Sequence, residues 1–142
     1  MKQKKQVVGK VGYCDNRVLG IKNRNGTYSG GHYVYIRAYK NGKCNVNVIT
    51  SLESSKGFDL HKIEKAKRGL LYPIPKNDSN FSQWSAINLD GNIKPVNLRD
   101  IQDIGKKSFK KRHRFFVAFT VFIGADINVV TAAISAVSVL DS

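Results

Sequence analysis

GHYVYIRAYKNGKCNVNVITSL, residues 31–52, decides the fold. Its centre, Asn41-Gly42, is a strong hairpin signal, because both residue types tolerate the positive φ that a type I′ turn demands. Closing two strands around a two-residue turn predicts their register. Tyr39 then faces Cys44, Arg37 faces Val46, Tyr35 faces Val48 and Tyr33 faces Thr50 on one side of the ribbon. The other side pairs Ala38 with Asn45, Ile36 with Asn47, Val34 with Ile49 and His32 with Ser51. An imidazole and two hydroxyls therefore gather at the open end of the hairpin. In this register His32 and Thr50 lie on opposite faces unless the strand end twists or bulges.

Around this hairpin the chain has 142 residues, the size of one compact domain (1–142). Hydrophobic residues make up 42% and charged residues 24%, the balance of a folded protein rather than a disordered one. Lys and Arg number 24 against 10 acids, a net charge of +14, which favours a polyanionic partner such as nucleic acid or an anionic membrane surface. Cys14 and Cys44 form no CxxC and have no histidine close by in sequence, so neither a zinc site nor a disulfide framework is expected. No metal or cofactor is implied, and a reducing cytoplasm is the simplest setting. The opening MKQKKQVVGKV is basic with no apolar run behind it, which predicts no signal peptide.

Short strands dominate the remainder. Within residues 1–30, the alternating runs 7–11 and 17–22 predict two strands around a turn at Cys14-Asp15-Asn16, and the glycine-rich stretch 23–31 predicts a mobile loop. A barrel core is expected over 31–123. Residues 58–67 predict a short helix with Leu60, Ile63 and Ala66 on one side, and residues 70–74 a strand kept at an edge by Pro73 and Pro75. Residues 85–89 and 93–98 flank Asp90-Gly91, a second hairpin signal. Residues 115–123 are aromatic and β-branched, as in a buried strand, and 126–140 space Ile127, Val130, Ile134 and Val137 as in an amphipathic helix capped by Asp126. Residues 115–140 following a basic run also raise the alternative of a C-terminal membrane anchor. Against it, a carboxylate such as Asp126 in mid-membrane costs about 3 kcal/mol. The fold class expected is mainly β, a small antiparallel barrel with a short helix and a C-terminal helix.

Strand, glycine-rich loop, hairpin ending in Thr-Ser, short helix, strand pair and C-terminal helix, in that order, resemble the MazF/PemK toxins. The match is clearest in VNVITSL (46–52), with GHYVYIRAY (31–39) as the preceding strand and 85–101 as the later strand pair. The resemblance implies an SH3-like barrel, a fold the toxins of type III systems share. It also implies a metal-independent endoribonuclease cutting single-stranded RNA, restrained by an antitoxin of protein or RNA and assembled as a homodimer. Thr50 matches the family's catalytic-site threonine and Ser51 its neighbour. The family's Arg-Pro at the start of the preceding strand is replaced here by Gly31-His32.

Cleavage at a 2′-hydroxyl needs a proton acceptor, a proton donor and a cation over the phosphate. His32 suits the first or second role, and Thr50 or Ser51 a hydrogen bond to phosphate oxygen. Arg37, Lys56 and Lys76 are candidates for the cation. Nucleic-acid contacts are expected from Lys76 and from GKKSFKKRHRFF, which crowds Lys106, Lys107, Lys110, Lys111, Arg112 and Arg114 beside Phe109, Phe115 and Phe116. Phe81 and Trp84 are either base-stacking or core residues. Two other functions fit the same composition: a basic barrel that binds nucleic acid without cutting it, and the tail-anchored membrane protein.

Overall fold

The computed structural model describes residues 7–76, 79–109 and 128. In chain order it contains β1 (Val11–Asp15), the one-turn helix α1 (Asn16–Leu19), β2 (Gly31–Lys40), β3 (Lys43–Ser51), β4 (Glu53–Ser54) and β5 (Gly57–Phe58). Helix α2 (Leu60–Lys67), β6 (Leu71–Ile74), β7 (Ser85–Asn88), β8 (Val96–Asn97) and a 3-10 turn (Leu98–Asp100) follow. The protein is mainly β, as expected. The expected strand over 115–123, most of the helix over 126–140, and Lys110, Lys111, Arg112 and Arg114 lie outside the described residues. No helix of the described residues is long and apolar enough to cross a membrane.

The main sheet is antiparallel in the order β1-β2-β3-β7-β6, with β8 also on β3. On the edge away from β2, strand β3 serves two neighbours: Lys43 and Cys44 pair with β8, and Ile49 to Ser51 pair with β7. Beyond β8 the chain returns to β1, where Tyr13 and Gln102 exchange backbone bonds of 2.8 and 2.7 Å. That bridge curls the sheet back on itself into a barrel-like form. Both faces of the central strands are covered. Val11, Tyr35, Ile49, Tyr72, Ile74, Phe81 and Ile87 form one core, while Cys14, Leu19, Val34, Ile36, Cys44, Val46, Val96 and Ile101 contribute to the other. Three consecutive residues of β2, Val34, Tyr35 and Ile36, are thus buried at 0, 1 and 0% exposure, an impossible pattern for a strand with one wet face.

The Asn41-Gly42 turn forms as expected, with φ of 53° and 80°, and Tyr39 faces Cys44 and Ala38 faces Asn45. Beyond Ala38 the predicted register fails. A bulge at Arg37 leaves that residue without a partner, and Ile36 pairs with Val46, Tyr35 with Asn47 and Val34 with Val48. The hydrophobic effect supplies the reason. The straight register would set Ile36 against Asn47, whereas the bulged one matches Ile36 with Val46 and Val34 with Val48 inside one core.

Other local expectations shift for tertiary reasons. The first strand runs over 11–15 rather than 7–11 and takes in Cys14 and Asp15, where a turn is expected, because β1 is held by β2 on one side and Gln102 on the other. Residues 17–22 are not a strand: Gly20, at φ 73°, closes the single turn of α1. Asp90-Gly91 joins no hairpin, since β7 and β8 pair with opposite halves of β3 and not with each other. Helix α2 forms within the expected 58–67 span but starts two residues later, at Leu60. Asp59 caps it, accepting from the backbone N–H of His61 at 3.0 Å and of Lys62 at 3.3 Å. Strand β6, carrying Pro73, sits at the sheet edge.

Both cysteines are fully buried and free. Burial, with smaller contributions from Asp100, Asp15 and Cys44, pushes the Cys14 thiol up to about 12, and burial also raises that of Cys44.

Candidate functional site

The slip at Arg37 moves His32 to the face that carries Thr50. Continued past the Val34–Val48 pair, the observed register runs toward His32 and Thr50 together, and both line one cavity of about 360 Å³. Helix α2 adds Lys62 and Lys65, three residues apart and therefore on one side of the helix. Ile21, Val48, Leu71 and Ile93 form apolar walls, and Asn88 and Gly91 complete the rim.

His32, Thr50 and Lys62 are each held by a named partner. His32 enters from β2 opposite Cys14 of β1. Its neighbour Gly31 has no room for a side chain, because a Cβ there would run into the Cys14 carbonyl and the Tyr13 ring. His32 Nδ1 lies 2.7 Å from Asn16 Oδ1. Lys62 Nζ donates to Thr50 Oγ1 at 2.9 Å and to the Ser51 carbonyl at 2.6 Å. An ammonium has three N–H groups, so two fix its position and one is left over for a ligand. Burial first, and the nearby Lys62 charge second, lower the His32 pKa below its ordinary 6.5. The imidazole is therefore neutral at pH 7.

Other expected site residues lie elsewhere. Ser51 points away from this cavity: its hydroxyl donates to the Glu53 carbonyl at 2.7 Å, meets Gln83 Oε1 at 2.9 Å, and borders a separate cavity with Tyr33 and Phe81. Arg37 occupies the bulge five residues along β2 from His32, roughly 17 Å away at 3.4 Å per residue. Lys56 is in the exposed β4–β5 turn, and Lys76 pairs with Glu53 at 3.9 Å. The cation anchored at the cavity beside Thr50 is Lys62, which no local pattern marks. Its one sequence signal is its position three residues after the Asp59 cap, on a short helix following the Thr-Ser strand end.

Of the basic run, Lys106 pairs with Asp103 at 3.0 Å. Lys107 donates to the Asn80 carbonyl at 2.9 Å and lies over the rings of Tyr33 and Phe81, 5.8 and 5.7 Å from their centroids. Phe81 is core, whereas Trp84 is half-buried edge-on against Phe58. No group of His, Cys, Asp and Glu among the described residues could hold a metal ion. No known protein-family model matches the chain, and a search of curated proteins finds no match either.

Proposed function

We propose that the protein is a metal-independent endoribonuclease acting on single-stranded RNA, and that it is the toxin of a cytoplasmic toxin–antitoxin pair. The observation that carries the nuclease reading is the convergence of neutral His32 and the anchored Lys62 ammonium on one cavity, in a chain of net charge +14. His32 takes the 2′-hydroxyl proton through Nε2, the nitrogen that Asn16 does not engage, as the 2′-oxygen attacks the adjacent phosphorus. The P–O5′ bond breaks, and the leaving oxygen takes a proton from the Lys62–Lys65 pair. The products are a 2′,3′-cyclic phosphate and a 5′-hydroxyl. Lys62 also offsets the charge that builds on the phosphate, in a half-enclosed site where such an interaction is stronger than in water. The toxin role, the antitoxin partner and a homodimeric assembly rest on the resemblance to MazF/PemK proteins alone.

Incubating the purified chain with single-stranded RNA in excess EDTA tests the reading. Fragments ending in 2′,3′-cyclic phosphate are expected, with the rate falling about 10²–10⁴-fold in His32→Ala. Intact RNA, or equal cleavage by the variant, overturns it. A second reading, binding without cleavage, is favoured by the net charge of +14. It expects RNA affinity that falls steeply with salt and no turnover.

A further inference from the structure

Asn16 is 97% buried yet polar throughout, and its amide has two partners of opposite kind. Nδ2 donates to the Ser29 carbonyl at 2.9 Å, and Oδ1 faces His32 Nδ1 at 2.7 Å. Since a carbonyl oxygen only accepts, Ser29 dictates which way round the Asn16 amide sits. The Asn16 oxygen, in turn, accepts only, so the proton between it and the ring must be on Nδ1. That leaves the lone pair of a neutral His32 on Nε2.

The chain of control extends one step further back. The Ser29 carbonyl accepts a second bond, from Asn23 Nδ2 at 2.9 Å, and the same amide reaches Thr27 Oγ1 and Ser29 Oγ at 3.2 Å each. Asn25 Oδ1 accepts from the Thr27 hydroxyl at 2.7 Å. The Asn- and Gly-rich segment between α1 and β2 is thus a hydrogen-bonded loop whose carbonyl points at Asn16.

We propose that Asn16 is a positioning residue that fixes His32 in its Nδ1–H tautomer, and that the 23–29 loop sets this choice through the Ser29 carbonyl. The tautomer follows from the hydrogen bonds alone. Its use, to present Nε2 as a base, rests on the nuclease reading. Among the described residues, the charged and titratable groups around the ring are Lys62 and Lys65 from α2 and the Cys14 thiol from β1, together with the neutral Thr50 hydroxyl from β3.

Nitrogen NMR of the ¹⁵N-histidine-labelled full chain reads the tautomer directly, whether or not the protein cuts RNA. At pH 7.5 the wild type is expected to show His32 Nδ1 as the protonated nitrogen and Nε2 as the bare one. Asn16→Leu removes the acceptor and is expected to shift His32 toward the Nε2–H form, with cleavage down at least tenfold. Asn16→Asp keeps an acceptor and adds a negative charge. It is expected to retain the Nδ1–H form and to move the acid limb of the cleavage profile to higher pH, because the carboxylate favours the imidazolium. Asn23→Ala, at the loop surface, tests the relay without touching the core and is expected to give a mixed population. A wild type protonated on Nε2, or an Asn16→Leu chain that keeps the Nδ1–H form, overturns the proposal. An Asn23→Ala chain with an unchanged tautomer overturns the loop's part in it. If the tautomers behave as stated but no variant or wild type cleaves RNA, the nuclease reading fails and the positioning stands.

Discussion

The two ends of the β2–β3 hairpin obey different rules. At the closed end, local chemistry decides: Asn41 and Gly42 adopt the positive φ their types favour, and the three pairs next to the turn follow. At the open end, packing decides, and one unpaired residue, Arg37, reverses the face of every β2 residue before it. The turn chooses which strands pair, whereas the core chooses which side chains meet at the far end. The candidate site lies entirely in the territory of the second rule.

Deleting Arg37 breaks this comparison most severely. It forces the turn's register through to the open end, placing His32 on the opposite face from Thr50 and Ile36 against Asn47. Loss of RNA cleavage and of a cooperative thermal transition is expected. Arg37→Ala keeps the extra residue and should leave the cleavage rate within about twofold, because its side chain is remote from the cavity. Cleavage lost equally in both would show that the guanidinium, not the spacing, matters.

Lys62→Met sharpens the account of the open end. Cleavage is expected to fall roughly 10²-fold or more, the cost typical of losing one preorganised group aimed at developing charge. The pH dependence carries a sign. Because His32 is depressed below 6.5, the base form is present above that lowered value and activity falls only as pH drops through it. Removing the Lys62 charge relieves part of the depression, so the acid limb moves up in pH. A limb that stays put or moves down would contradict the proximity of the two groups. The same depression makes acid destabilising, since the unfolded chain takes up a proton at His32 where the folded one resists it.

Thr50→Val is expected to do less. It removes one acceptor from Lys62 while the Ser51 carbonyl remains, and a hydrogen bond of about 1 kcal/mol corresponds to a five- to tenfold loss of rate. The smallest effect on activity belongs to the closed end. Gly42→Ala, at φ 80°, should cost about 1 kcal/mol in denaturant unfolding and leave the rate unchanged.

Much of the scaffold was legible in the sequence because its signals are local. The spacing of Leu60, Ile63 and Ala66 marks a helix, Asn41-Gly42 its own turn, and Pro73 its own edge position. Asp90-Gly91 misled for the converse reason: a two-residue turn signal implies a hairpin only if the flanking strands pair, and both flanks here prefer β3. The bulge was half-legible. No glycine marks Arg37, but matching Val34 and Ile36 to Val48 and Val46 rather than to Ile49 and Asn47 would have found the slip. His32 and Thr50 were legible as residue types, yet Lys62 and Asn16 were not. Their partners lie 12 and 16 residues away, across a helix and a loop whose docking no periodicity encodes.

The burial of Cys14 and Cys44 has a practical consequence. The chain contains no other cysteine. Thiolates are the species that react with alkylating probes, and both sulfurs are held as shielded thiols. The folded protein is thus expected to react slowly with maleimides, so that a cysteine introduced at exposed Asn25 takes up a fluorophore selectively and reports on the loop that faces Asn16.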